Sequence, residues 1–541
     1  MNLSDLTLSE LSQAMQSGHV SSVDIVEACF RRIDEFDNAI GSFVSVGRES
    51  AFEQARRLDG ERMANGRSGP LHGLPLGMKD NIDVAGLPTT ANSRAFANRL
   101  PDQNATVVDR LINNGAIIIG KLGTFELAVG GPTPDLPWPL PRNPWNLARS
   151  PGGSSSGAGA ALAARFIPGA LGTDTGGSIR SPASLCGLSG LVPSSGLVSR
   201  HGIIPTSFTF DHCGPMARTA EDCALLLDAI VGHDPNDPAS VSSPPPRFHA
   251  SLKSDLKGLR IGVVRHFWER SANAAVGKAM EDALEALKSL GATLENTHFQ
   301  PIANLPQLRW IIAQSETFNI HLKALQENPG QFGHDFLQRV LPVCLFSGYE
   351  YIQALREWGK AIRIMPSALE NYDVLVSAAL EGAPRLDEHD TLQFLRCNGR
   401  FLQTVTPTGP SAVFCNGFDA EGLPLGMEVL GRPFDDATLL SVGHAYQSVT
   451  SWHRRQPHLT EGMLAPPVVQ SARANPTELR VDATIQRLCH TAAERAGLRL
   501  NDTQMQLLYQ GAPFVLDMTR HLNYDGSLND APPTIYRLQA E

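Results

Sequence analysis

No two cysteines in this 541-residue sequence are spaced as CxxC, and none clusters with histidine. The eight cysteines (Cys29, Cys186, Cys213, Cys223, Cys344, Cys397, Cys415 and Cys489) are scattered. That pattern argues against structural zinc and predicts reduced core thiols in a cytoplasmic protein. The first residues lack the basic and apolar regions of a signal peptide, and no apolar run reaches membrane-spanning length. Basic runs are missing too. Lys and Arg total 45 against 55 Asp and Glu, a formal net charge of −10, so neither a nucleic acid nor a membrane is an expected partner. Charged residues make up only 18% and hydrophobic residues 42%, the balance of a globular enzyme with a large core. The length suggests one large domain with an addition, or two to three ordinary domains.

What the chain does have is a stretch from Ser150 to Ala183 with two glycine-serine turns, PGGSSSG and TDTGGSIR. Between them lie a small-residue helix and a strand expected over 166–173. Glycines at Gly176 and Gly177 let the backbone turn so that several N–H groups converge on one point. A serine at the end of such a nest has donors beside its own oxygen, which acyl transfer requires. A flexible Gly/Ser linker is the plainer alternative. The interleaved Ala-Leu-Ala-Ala and Ile-Pro-Gly-Ala-Leu segments ask for burial and favour a buried catalytic loop.

Elsewhere the pattern is that of a scaffold. Ser21 to Asp24 reads as a capping box before a helix carrying Ile25, Cys29 and Ile33. Lys79 stands in the apolar segment LHGLPLGMKDNIDVAGLPTT, which by itself suggests a snorkelling lysine or one paired with Asp80. Residues 115–121 match a phosphate-loop start only formally. Leu122 replaces the magnesium-binding Ser or Thr, and three consecutive isoleucines belong to a strand. Gly153 to Gly157 satisfies GxSxG without a strand before it, and His201, His212 and His233 have no distinguishing context for a triad. Strands and helices alternate from Leu259 to Trp452, including a helix expected over 390–403. Residues 305–370 read as mostly helical. A Pro/Ala/Ser-rich linker follows, and then a helical tail in which Pro513 should produce a kink.

GLPLGMKDNIDVAGLPTT, SPGGSSSGAGAALAA and LGTDTGGSIRSPASLCGLSGLVPS together resemble the amidase signature family, with agreement reaching GFDAEGLPLGMEVLGRPFDDATLL. The resemblance covers essentially residues 5–455. It implies an α/β fold, a twisted mixed β-sheet covered by helices, over residues 1–462, followed by a linker at 463–478 and a C-terminal helical extension at 479–541. It implies Ser178 as nucleophile, Ser154 as the bridging serine 24 residues earlier, often behind a cis peptide, and Lys79 as base. This replaces the plainer reading of Lys79. A serine hydroxyl needs a positioned base, and a lysine acts as one only when burial keeps it neutral. Backbone N–H groups of Thr175, Gly176, Gly177 and Ser178 would form the oxyanion hole. Asp174 and Arg180 would brace the loop, with Arg180 also a candidate substrate contact, and Ser155 would be a hydrogen-bonding neighbour.

The resemblance implies no cofactor and no metal. It points to hydrolysis of a C–N bond in a small amide or urea-like molecule through a seryl acyl-enzyme. The alternative is the glutaminase (A-type) subunit of a tRNA-dependent amidotransferase, and a catalytically dead scaffold is a third reading. A homodimer is expected, with the C-terminal extension as one candidate contact. That tail faintly resembles a small helical accessory subunit of amidases acting on carboxylated ureas. Two departures from the family pattern, Thr408 to Ala412 and Gly123 to Glu126, bear on substrate choice.

Overall fold

A computed structural model describes residues 2–66, 69–242, 247–269, 271, 273–298, 304–362, 367–391, 409–468, 481–522 and 524. Eleven strands form one mixed sheet: β1 (Phe43–Val46), β2 (Pro75–Lys79), β3 (Ile117–Leu122), β4 (Gly169–Asp174), β5 (Ser189–Val192), β6 (His212–Ala217), β7 (Arg260–Val263), β8 (Thr293–Asn296), β9 (Val374–Ala378), β10 (Ser411–Phe418) and β11 (Pro424–Gly431). Their order is β1-β3-β2-β4-β6-β5-β10-β11-β9-β7-β8. β2 runs parallel to both β3 and β4, so the carboxyl ends of these three strands open at one edge. That edge is where α/β sheets place ligands. The strands on either side are antiparallel, from β4–β6 to β11–β9.

The central strands are apolar on both faces because helices cover both. Every residue of β2, β3 and β4 is buried. The expected strand over 166–173 begins only at Gly169, because Arg165 adopts a left-handed φ of 59° that turns the chain first. The capping box at Ser21 forms, with Asp24 returning a bond to the Ser21 N–H, and its helix Ser22–Ile40 buries Ile25, Cys29 and Ile33. The small-residue helix Ser156–Ala163 is buried along its whole length. Its composition follows from how closely it lies against the chain: a Cβ on Gly157 would stand 2.3 Å from the Gly123 nitrogen and 2.4 Å from the Ser42 carbonyl oxygen.

A second apolar cluster joins the helices Leu305–Glu327 and His334–Val340 to the C-terminal helices Ala483–Arg495 and Asp502–Arg520. The tail is clamped there by polar contacts, Gln338 to Gln510 at 2.7 Å and Arg495 to the Cys344 carbonyl at 2.9 Å. Pro513, where a kink is expected, lies inside a helix assigned without interruption from Asp502 to Arg520. All but the first two residues of the helix expected over 390–403, most of the 463–478 linker and the end of the 479–541 extension beyond residue 524 lie outside the described residues. Among the described residues no helix is long and apolar enough to cross a membrane.

Candidate active site

Lys79 is the last residue of β2 and is wholly buried. Its Nζ donates to Ser154 Oγ at 2.7 Å and to Thr173 Oγ1 at 2.7 Å, with the Thr173 carbonyl at 3.3 Å. Asn81 Nδ2 donates to the same threonine hydroxyl at 3.1 Å. No carboxylate pairs with Lys79 among the described residues; Asp80 turns away and meets the buried Lys121 of β3 at 3.2 Å. Burial, only partly offset by the fields of Asp174 and Asp211, lowers the Lys79 ammonium to about 7. The snorkelling and Asp80-paired readings of this lysine therefore both fail, for a strand-end side chain enclosed on all sides cannot reach water.

Ser154 follows a cis peptide from Gly153, and its carbonyl accepts from the Phe125 N–H at 3.1 Å. Ser155 lies behind it, its N–H on the Ser178 carbonyl at 3.1 Å and its Oγ within 3.3 Å of Thr173 backbone atoms. Ser154 and Ser178 line one cavity of about 100 Å³, with Gly153, Thr175, Gly176 and Arg309 also in its wall. The structure thus brings Lys79 into direct contact with Ser154, and Ser154 and Ser178 onto one cavity.

The turn after β4 is held from beneath. Asp174 accepts from the N–H groups of Gly177 at 2.7 Å and Ile179 at 2.9 Å, and Gly177 takes a φ of 118° that a side chain would resist. The Arg180 guanidinium donates twice to Asp174, at 3.2 Å each, and to Glu428 of β11 at 2.8 Å. All three charged groups are fully buried. Burial alone would raise the Asp174 carboxyl, but Arg180 and the two N–H donors hold it well below the ordinary carboxylate range. Asp174 and Arg180 brace the turn and do not line the cavity. Gly177 is on the inner side as well, its N–H engaged by Asp174, while Thr175, Gly176 and Ser178 face the open space.

Sequence reasoning missed Asn81, Thr173 and Arg309. Asn81 and Thr173 were signalled only by adjacency to Lys79 and Asp174, while Arg309 lies on the distant helix Leu305–Glu327 with no local sign of its position. Arg309 is nine-tenths buried, and one of its terminal nitrogens approaches the Thr175 carbonyl at 3.4 Å. Arg339, from the helix His334–Val340, reaches the same cavity with its Nε bonded to Asp335 at 3.0 Å. Among the described residues no group of His, Cys, Asp and Glu is placed to hold a metal ion.

The family described as Amidase matches residues 24–440. A protein of Chloroflexus aggregans, named as the A-type subunit of glutamyl-tRNA(Gln) amidotransferase, is 37% identical over 482 residues, covering 84% of this chain and 98% of that protein. Among solved structures, one described as a vestigial protein complex bearing on the origins of an s-triazine catabolic enzyme superposes with a TM-score of 0.75. It is 29% identical and covers 82% of this chain and 98% of its own. The native peptide amidase of Stenotrophomonas maltophilia superposes with a TM-score of 0.72 at 29% identity, over 84% of this chain and 98% of that one. These likenesses correct one expectation. A partner set of a small-molecule substrate with no nucleic acid does not fit relatives named as subunits of an amidotransferase for glutamyl-tRNA. The error was physical: an acidic surface argues only against direct contact with nucleic acid, and a subunit needs no basic patch when another chain carries that contact.

Proposed function

The chain belongs to the amidase family, and we propose that it cleaves the C–N bond of a carboxamide through an acyl-enzyme on Ser178. The carrying observation is the 2.7 Å bond between buried Lys79 and Ser154, with Ser154 and Ser178 on one cavity. Ser178 Oγ attacks the carbonyl carbon while its proton passes to Ser154 Oγ, and the Ser154 proton passes to the neutral amine of Lys79. The oxyanion is held by the N–H groups of Thr175, Gly176 and Ser178, pre-aimed by the Asp174–Arg180 brace. The same relay, run backward, protonates the leaving nitrogen and releases ammonia. Water then cleaves the ester and regenerates Ser178.

The named relatives favour one role for this chemistry, an A-type subunit that frees ammonia from glutamine for a tRNA-dependent amidotransferase. A second reading, stand-alone amide hydrolysis, is favoured by the tail helices, which cover the His334–Leu345 face with the chain's own residues. The deciding experiment is glutamine hydrolysis by the isolated chain and after co-purification from its native cell. Stimulation by a co-purifying large subunit supports the first role. Full turnover alone, with no such subunit recovered, supports the second, and no ammonia from any carboxamide in either setting defeats both.

A further inference from the structure

Arg309 is a buried cation whose charge no described residue nearby answers. Among the described residues no carboxylate lies within ion-pair distance of it. Among the same residues its Nε has no hydrogen-bond partner, and its guanidinium approaches the Thr175 carbonyl at 3.4 Å. The nearest acidic field is that of Asp174, whose oxygens are already taken by Arg180 and the turn. Burial weakens its hold on the proton only to about 10, so the guanidinium is charged at neutral pH. Taking an ion out of water without a partner costs several kcal/mol, and such groups persist where a ligand completes them.

Its position says which ligand. The guanidinium lies so close over Gly176 that a Cβ there would stand 2.0 Å from it. It therefore borders the turn that carries Ser178 and opens onto the same cavity. Two neighbours on its helix also line that space without hydrogen-bond partners among the described residues, the donor Trp310 Nε1 and the acceptor Gln314 Oε1. The other guanidinium in the wall, Arg339, already has its carboxylate in Asp335. One uncommitted cation, one donor and one acceptor beside the attacking serine match a molecule that carries an anionic group and an amide together.

Resting on the acyl-enzyme reading, we propose that Arg309 is the specificity-determining residue that selects amides bearing a carboxylate. The guanidinium pairs with that carboxylate and so sets the amide carbonyl over Ser178. Glutamine is one member of the class, and neutral amides of the same size fall outside it. Because the pairing forms on binding, its loss falls on KM more than on kcat.

Succinamate and succinamide are nearly the same size and differ in charge at one end. An uncharged fluorophosphonate labels Ser178, and each compound slows that labelling in proportion to its occupancy. Succinamate is expected to protect at roughly 10–100-fold lower concentration than succinamide, as a charge-assisted pair implies. In Arg309→Met this gap closes, and in Arg309→Lys part of it returns. Equal protection in the unaltered protein, or a gap that survives Arg309→Met, overturns the proposal. Failure of Ser178 to label at all counts against the acyl-enzyme instead. Calorimetric titration of the unlabelled protein with the same pair then still reads the charge preference, and no preference there overturns the proposal.

Discussion

Lys79 Nζ meets the hydroxyl of Thr173 at 2.7 Å, the same distance at which it meets Ser154. The amine is thus held from two sides, and in the proposed relay one faces the proton it receives while the other fixes the direction of its lone pair. Thr173→Val removes the second anchor and leaves volume nearly constant. The expected result is a fall of about 10–100-fold in kcat/KM, with an acid limb displaced to lower pH because the ammonium loses an acceptor. Thr173→Ser should restore most of the rate. A Thr173→Val variant with an unaltered pH profile would show that Ser154 alone orients the amine.

The rate itself should depend on pH through Lys79. Its ammonium is lowered to about 7 by burial, and only the neutral amine accepts a proton. kcat/KM is therefore expected to fall tenfold per unit below pH 7 and to level off above it. A profile flat down to pH 5.5 would exclude this amine as the base.

Ser178→Ala should abolish fluorophosphonate addition and lower turnover by at least about 10⁴-fold. Lys79→Ala should approach the same loss. The two effects should not add in the double variant, since both groups serve one proton transfer. Mass spectrometry of the labelled protein and steady-state kinetics check each of these.

The buried Asp174–Arg180–Glu428 group predicts a stability effect. Arg180→Met leaves two carboxylates without their cation in a fully buried site. The expected destabilisation is about 3–5 kcal/mol, read as a lowered denaturant midpoint with unchanged slope.

Glu126 supplies a test in which the sign runs the other way with pH. Burial, opposed by the Ser93 hydroxyl and the Gly333 N–H, raises its carboxyl to about 8 from an ordinary 4.5. The folded state then holds a proton between those values that the unfolded chain has released. Its stabilising contribution is complete below pH 4.5 and is lost as pH rises to 8. Glu126→Gln should therefore gain melting temperature relative to the parent at pH 8, and gain little at pH 5.

Much of this site was legible in the chain because its parts are consecutive. Ser154, Ser155, Asp174, Ser178 and Arg180 fall within 27 residues, and the glycine turns announce tight backbone geometry. Lys79 was legible only through resemblance, since nothing in Leu-Gly-Met-Lys-Asp tells a base from a structural lysine. Its surroundings come from the parallel pairing of β2 with β4, which sets Lys79 against Thr173 across 94 positions. Glu428 and Arg309 were illegible for the same reason: their partners lie 248 and 134 residues away. The tail helices were readable as helices from their periodicity, but the face of the chain they cover was not.

That face has a bearing on how the protein behaves when scarce. The helix His334–Val340 turns Arg339 toward the cavity on one side and offers Gln338 to Gln510 on the other. A separate polypeptide in that place would fall away as the solution was diluted. Tethered through the peptide chain, the two tail helices remain at an effective concentration on the order of millimolar. The face of the helix His334–Val340 that bears Gln338 therefore stays covered however few copies of the protein a cell contains.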